Sequence, residues 1–228
     1  MTLIEKLCLN NCISCHKQGI AKEEHIDTGW RDSVNNGLWP KPYQKGGINP
    51  ETVKGIVIGQ DPTIDNPRKM EFILEANTPD SNLGKFLREA FGMLPEIKFD
   101  ELYFTNLVKC RLDEKPGKDG RNISDFLKEL ASNCFSKFLL EEINLFHNAK
   151  YIFTLGRDTF NLVAKSLLVK HQPLSIFNRY YGTRLVIPSS SVNRTCYLVP
   201  LPHQNTYDIA QRYGVYGKEE MGRRLAQL

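Results

Sequence analysis

Three stretches of the sequence set a reactive side chain directly behind a run of apolar residues. Gly59-Gln60-Asp61-Pro62 follows Gly55-Ile56-Val57-Ile58; Asn106 lies within Tyr103-Phe104-Thr105-Asn106-Leu107-Val108-Lys109-Cys110; and His203 and Asn205 close Tyr197-Leu198-Val199-Pro200-Leu201-Pro202-His203-Gln204-Asn205. Short apolar runs bounded by such residues read as buried strands, and open α/β sheets hold their ligands beyond the carboxyl ends of the strands. Pro62 has no N–H to give to a ladder and turns Asp61 away from helical geometry, so the chain leaves the sheet there and aims a carboxylate into a loop crevice. A carboxylate orients water or steadies a developing cation, an amide offers a paired acceptor and donor, and an imidazole donates to a developing anion. Each residue taken alone has a plainer reading: Asp-Pro as a turn, Asn106 as a turn-capping amide, His203 as a satisfied loop histidine.

The six cysteines form a second group. Cys8, Cys12 and Cys15 crowd one short segment, Cys110 and Cys134 flank a Lys/Gly/Asp-rich stretch, and Cys196 leads into the last apolar run. In a chain without a secretion signal this distribution favours thiols or metal ligands over disulfides. Cys12-Ile13-Ser14-Cys15 is a CxxC pair, which by itself fits redox chemistry, zinc or chance. Cys110 and Cys134 would complete a four-thiolate site suited to iron–sulfur or to zinc.

The elements that must position these groups follow from periodicity. Strands are expected at Val53–Gly59, Leu102–Val108, Tyr151–Leu155 and Tyr197–Leu201. Helices are expected over Met1–Gln18, Leu83–Phe91, Ile123–Phe146 with Ser124 as a cap, Thr159–Val169 and Glu219–Leu228. The alternation predicts an α/β fold: a three-layer α/β/α sandwich around a central four-stranded, mostly parallel sheet. The 228 residues are expected to form one domain, with residues 1–50 as an extension that carries the first thiols and covers the sheet. Within it, Trp30, Trp39 and Tyr43 read as cover for a core edge. The 41% hydrophobic content supplies a core, and no apolar run approaches a membrane span, so a cytoplasmic, monomeric protein without a membrane partner is expected. Thirty Lys plus Arg against 26 Asp plus Glu leave a net charge of +4, which is compatible with a DNA partner without requiring one.

Asp at one strand end, Asn near the next and His after the last, in that order, resemble the uracil-DNA glycosylase superfamily. Gly59-Gln60-Asp61-Pro62 is similar to the water-activating motif of its best-known branch, Thr105-Asn106-Leu107-Val108-Lys109-Cys110 is similar to a segment of its iron–sulfur branch, and His203 falls where the family has His-Pro-Ser. The resemblance covers nearly all of the chain from Cys12 onward. It implies a [4Fe-4S] cluster on Cys12, Cys15, Cys110 and Cys134, with zinc as the alternative metal and Cys8 as the alternative fourth ligand.

It also implies base excision repair, the hydrolysis of the N-glycosidic bond of uracil or a related damaged base in single- or double-stranded DNA. That reaction passes through a sugar with oxocarbenium character and a base that leaves as an anion, needs that Asp61 and His203 meet. Gln60, Asn106, Thr63 and Phe72 are the expected base-binding residues, with the Asn106 carbonyl accepting from uracil N3–H and its NH2 donating to O4. Asn205 and Arg157 are the expected contacts to the DNA backbone, Arg157 because Gly156 precedes it at a helix start. Lys109, Arg111, Lys115, Lys118 and Arg121 form a basic loop, either solvated or facing phosphates.

The chain departs from the family pattern twice, with Thr63 where the best-known branch has Tyr and with Gln204-Asn205 in place of Pro-Ser. Two other readings follow: a glycosylase-like iron–sulfur protein that binds nucleic acid without excising bases, and a zinc-stabilised α/β hydrolase of free nucleosides.

Overall fold

The computed structural model describes residues 42–61, 72–78, 82–92, 94–109, 125–168, 181–202 and 223–228. Strands β1 (Gly55–Gly59), β2 (Leu102–Asn106) and β3 (Tyr151–Leu155) are buried at every position, as strands covered on both faces must be. With β4 (Leu185–Ile187) and β5 (Cys196–Leu201) they form one sheet in the order β2-β1-β3-β5-β4. The four expected strands are all present and all parallel, but the sheet has five strands: β4 adds an antiparallel edge, pairing Leu185 with Leu198 and Ile187 with Cys196. Three residues, with Val186 exposed between its neighbours, are too few to establish a period. The β4 ladder ends short of Pro200, which has no N–H to pair. Gly182 N–H instead donates to the Pro200 carbonyl at 2.9 Å.

Alternation along the strands sends side chains to two separate cores. Ile56, Ile58, Tyr103, Ile152 and Leu198 face one side. There they meet α2 (Asp125–Cys134), a π-helical turn (Phe135–Leu139), α3 (Leu140–Leu145) and α4 (Arg157–Leu167). Val57, Leu102, Phe104, Phe153 and Val199 face the other side, against Phe86, Ala90 and Phe91 of α1 (Asn82–Gly92) and against Leu225. A short helix, α5 (Ser189–Val192), joins β4 to β5. The long helical zone expected after residue 123 is thus one helical run carrying a π turn. The helix after β3 begins two residues earlier than its apolar spacing suggested, because Gly156 turns the chain with φ of 89°.

The open edge of β2 is covered, as expected for Tyr43. Tyr43 and Phe104 exchange backbone hydrogen bonds of 3.2 and 2.8 Å, and their rings pack at 5.9 Å. Trp30, Trp39, the Met1–Gln18 helix, the Ser124 cap and the start of the closing helix lie outside the described residues. Among the described residues no helix is long and apolar enough to cross a membrane.

Candidate active site

The strand order fixes where a ligand fits. The chain leaves β1 toward β2 on one side and leaves β3 toward β5 on the other, and such a switch point is where open α/β sheets form a ligand crevice, beyond the carboxyl ends of β1 and β3. Gln60 and Asp61 leave β1 at this place. Gly59 pairs with Asn106, and the ladder continues past both strands: Leu107 N–H donates to the Gly59 carbonyl and Val108 N–H to the Gln60 carbonyl, each at 2.8 Å. The structure therefore brings Gln60, Asp61 and Asn106 onto adjacent strand ends. Asp61 is buried, with 8% of its surface exposed.

Asn106 is almost wholly enclosed, and its Oδ1 has no hydrogen-bond partner among the described residues. A buried, unpaired amide oxygen costs about 1–3 kcal/mol, so a donor is called for at this place. The amide lies over Gly59, where an added Cβ would stand 2.4 Å from Asn106 Oδ1 and 2.7 Å from Leu74 Cδ2. Only glycine allows this approach. Leu74 comes from a 3₁₀ turn at Ile73–Glu75 and takes the left-handed conformation, φ 62° and ψ 16°. The turn follows Phe72, which is half-buried and meets the Tyr43 ring edge-on at 4.9 Å.

Behind Asn106 lies a buried ion pair. Lys109 Nζ stands 2.6 Å from Glu142 Oε1 and donates to Thr105 Oγ1 at 2.7 Å, while that hydroxyl donates to Glu142 Oε2 at 2.8 Å. All three residues are buried. Lys109 was expected in a basic loop facing solvent or phosphate. Its ammonium is instead enclosed against α3, because a carboxylate stands on the apolar stripe of that helical run. Glu142 lies between Leu139 and Phe146 at spacings of three and four, and this lone acid on an apolar stripe was the available signal. The pair ties the segment after Asn106 to the helical run that also carries Cys134.

Cys134 is buried at the junction of α2 and the π turn. Its thiol belongs to the first core, on the same helical run as Glu142. Cys196 is a different thiol. It lies at the amino end of β5, away from the crevice; burial raises its pKa, and the Arg194 guanidinium offsets part of that rise. Arg157 opens α4 beyond the carboxyl end of β3, exposed, with Nε 3.1 Å from Asp158 Oδ1. Its guanidinium is partly engaged with that neighbour. Thr63, His203, Asn205, Cys8, Cys12, Cys15, Cys110 and the basic residues from Arg111 to Arg121 lie outside the described residues. A comparison with curated proteins finds no significant match. Residues 46–207 match the family described as the uracil DNA glycosylase superfamily.

Proposed function

The chain belongs to the uracil-DNA glycosylase superfamily, and we propose that it hydrolyses the N-glycosidic bond of uracil or a related damaged base in DNA. The observation that carries this reading is Asn106 Oδ1, buried over Gly59 without a hydrogen-bond partner among the described residues, one strand from Asp61. A glycosidic bond is shielded inside a duplex, so the base must first swing out into a pocket. In that pocket Asn106 Oδ1 would accept from uracil N3–H, its NH2 would donate to O4, and Phe72 would lie against the ring. Gln60 and Thr63 would complete the pocket walls.

Asp61 would hold a water on the far side of the sugar from the departing base and steady the positive charge that grows on the ring. His203 would donate to the anion forming on the base. Arg157, at the glycine-led start of α4, and Asn205 are assigned to phosphates of the DNA strand. We assign a [4Fe-4S] cluster to Cys12, Cys15, Cys110 and Cys134, in a structural role: it would lash the amino-terminal segment to the helical run behind Asn106. Four thiolates also suit zinc, and an absorption spectrum separates the two.

The test is incubation of purified protein with uracil-containing DNA, followed by alkali to break abasic sites. Strand breakage by the wild type, with Asp61→Asn binding the same DNA but leaving it intact, is the expected result. Tight DNA binding without breakage by the wild type would instead identify a binding protein that has lost excision.

A further inference from the structure

Leu74 has a backbone that least suits its side chain. Among the described non-glycine residues only Leu74 and Asn193 have positive φ, and Asn193 is the usual kind of left-handed residue that ends a helix. A bulky apolar residue in that region is an outlier, and such outliers gather where position matters more than local comfort.

The strained turn achieves a position. Leu74 Cδ2 and Asn106 Oδ1 converge on one face of Gly59. At the other end of the same strand, the corresponding face of Gly55 meets ordinary apolar packing from Leu102, Phe153 and Ile97. Near Gly59, an unfavourable backbone and an unpaired amide oxygen occupy one small volume, and each alone weakens the fold. Together they make sense as a site: an apolar branch beside an acceptor displaces the water that would otherwise satisfy it.

Dryness there has a chemical consequence. A water between two acceptors can donate to both, so a wet pocket tolerates a base that offers an acceptor to Asn106 Oδ1. A dry pocket leaves such a pair unanswered and rejects that base. We propose that Leu74 is a specificity-determining residue of the base pocket, an apolar wall that keeps Asn106 Oδ1 dry and so admits bases with a donor at N3, such as uracil, over bases with an acceptor there, such as cytosine. The choice of substrate rests on the glycosylase reading; the shielding of the amide does not.

Leu74→Gly removes the wall without backbone strain, because glycine adopts positive φ freely; lost packing against the second core and a freer unfolded chain lower the melting temperature, so the variants are compared well below it. In 15N-labelled protein, the side-chain NH2 of Asn106 should exchange with water at least about 10-fold faster in Leu74→Gly than in the wild type. The ratio of single-turnover excision rates for uracil over cytosine should fall about 10- to 100-fold, the scale of one apolar contact in a pocket. Leu74→Met, which refills the volume, should restore both values. Unchanged amide exchange in Leu74→Gly overturns the proposal whatever the activity, and faster exchange with an unchanged ratio overturns its claim on specificity. If the wild type excises no base, the glycosylase reading fails by itself and amide exchange alone decides whether the wall exists.

Discussion

At the amino ends of the strands Arg194 donates to the carbonyls of Ala149, Val192 and Ile143, and Lys54 closes on Glu101 at 2.7 Å. Backbone bonds continue the sheet downward there, from Lys150 N–H to the Lys54 carbonyl and from Tyr197 N–H to the Lys150 carbonyl. Toward the carboxyl ends Asn106 Oδ1, Thr154 Oγ1 and Thr159 Oγ1 are buried without partners among the described residues. Leu74 is held there in a left-handed turn, and an ion pair is sunk behind Asn106. One end of the sheet answers its polar groups, and the other holds some in reserve. Buried polar groups left open at one end of a sheet whose other end is well satisfied are where a ligand would find partners.

Breaking the ion pair should disturb the carboxyl end most. Lys109→Met leaves the Glu142 carboxylate buried without its cation and should cost about 3–5 kcal/mol of stability in denaturant titrations. Lys109→Met combined with Glu142→Leu should recover most of that loss. A single variant as stable as the wild type would show that solvent reaches the pair.

The two glycines that bound β1 offer a matched comparison. Gly59→Ala drives a methyl into Asn106 Oδ1 and should lower uracil excision about 10²-fold, on the scale of a displaced hydrogen-bonding group in an active site. Gly55→Ala places its methyl 2.8 Å from Leu102 Cδ2 and 3.0 Å from Phe153 Cε2. Overpacking of this kind should cost about 1–3 kcal/mol of stability. The excision rate of the folded fraction should stay as it was. Equal losses of excision in the two variants would erase the distinction between the ends.

The smallest effect is expected at Cys196. Burial lifts its thiol pKa above that of the unfolded chain, with Arg194 offsetting part of the rise. A raised pKa means that the unfolded chain loses its proton first, so this contribution to stability is full below about pH 8.5 and declines as pH climbs toward the folded value. Cys196→Ala should flatten the alkaline limb of a stability profile by that contribution and leave bound metal unchanged. Loss of metal in this variant would place Cys196 among the ligands.

The parallel strands could be read in the sequence because burial on both faces leaves continuous apolar runs, and the strand-end placement of Asp61 and Asn106 could be read because each polar residue stands where such a run stops. Edge strand β4 could not, since three residues carry no period. Lys109 was misread for a physical reason: a cation in a Lys/Gly/Asp-rich stretch looks solvated until the carboxylate that buries it, 33 residues away on a helix, is brought alongside. Leu74 was invisible altogether, because nothing in a leucine announces a positive φ. Strain is a property of the backbone the rest of the fold imposes.

The central claim is that the open acceptor of Asn106 reads the base, and Asn106→Asp tests it most directly. Cytosine presents an acceptor at N3 and a donor at N4, the reverse of uracil's donor at N3 and acceptor at O4, so the substitution should weaken uracil excision and shift recognition toward cytosine. Single-turnover rates on otherwise identical DNA strands carrying uracil or cytosine at one position provide the measurement. The predicted result is a fall in the uracil rate with a rise in the cytosine rate relative to wild type; an unchanged uracil rate would contradict the account.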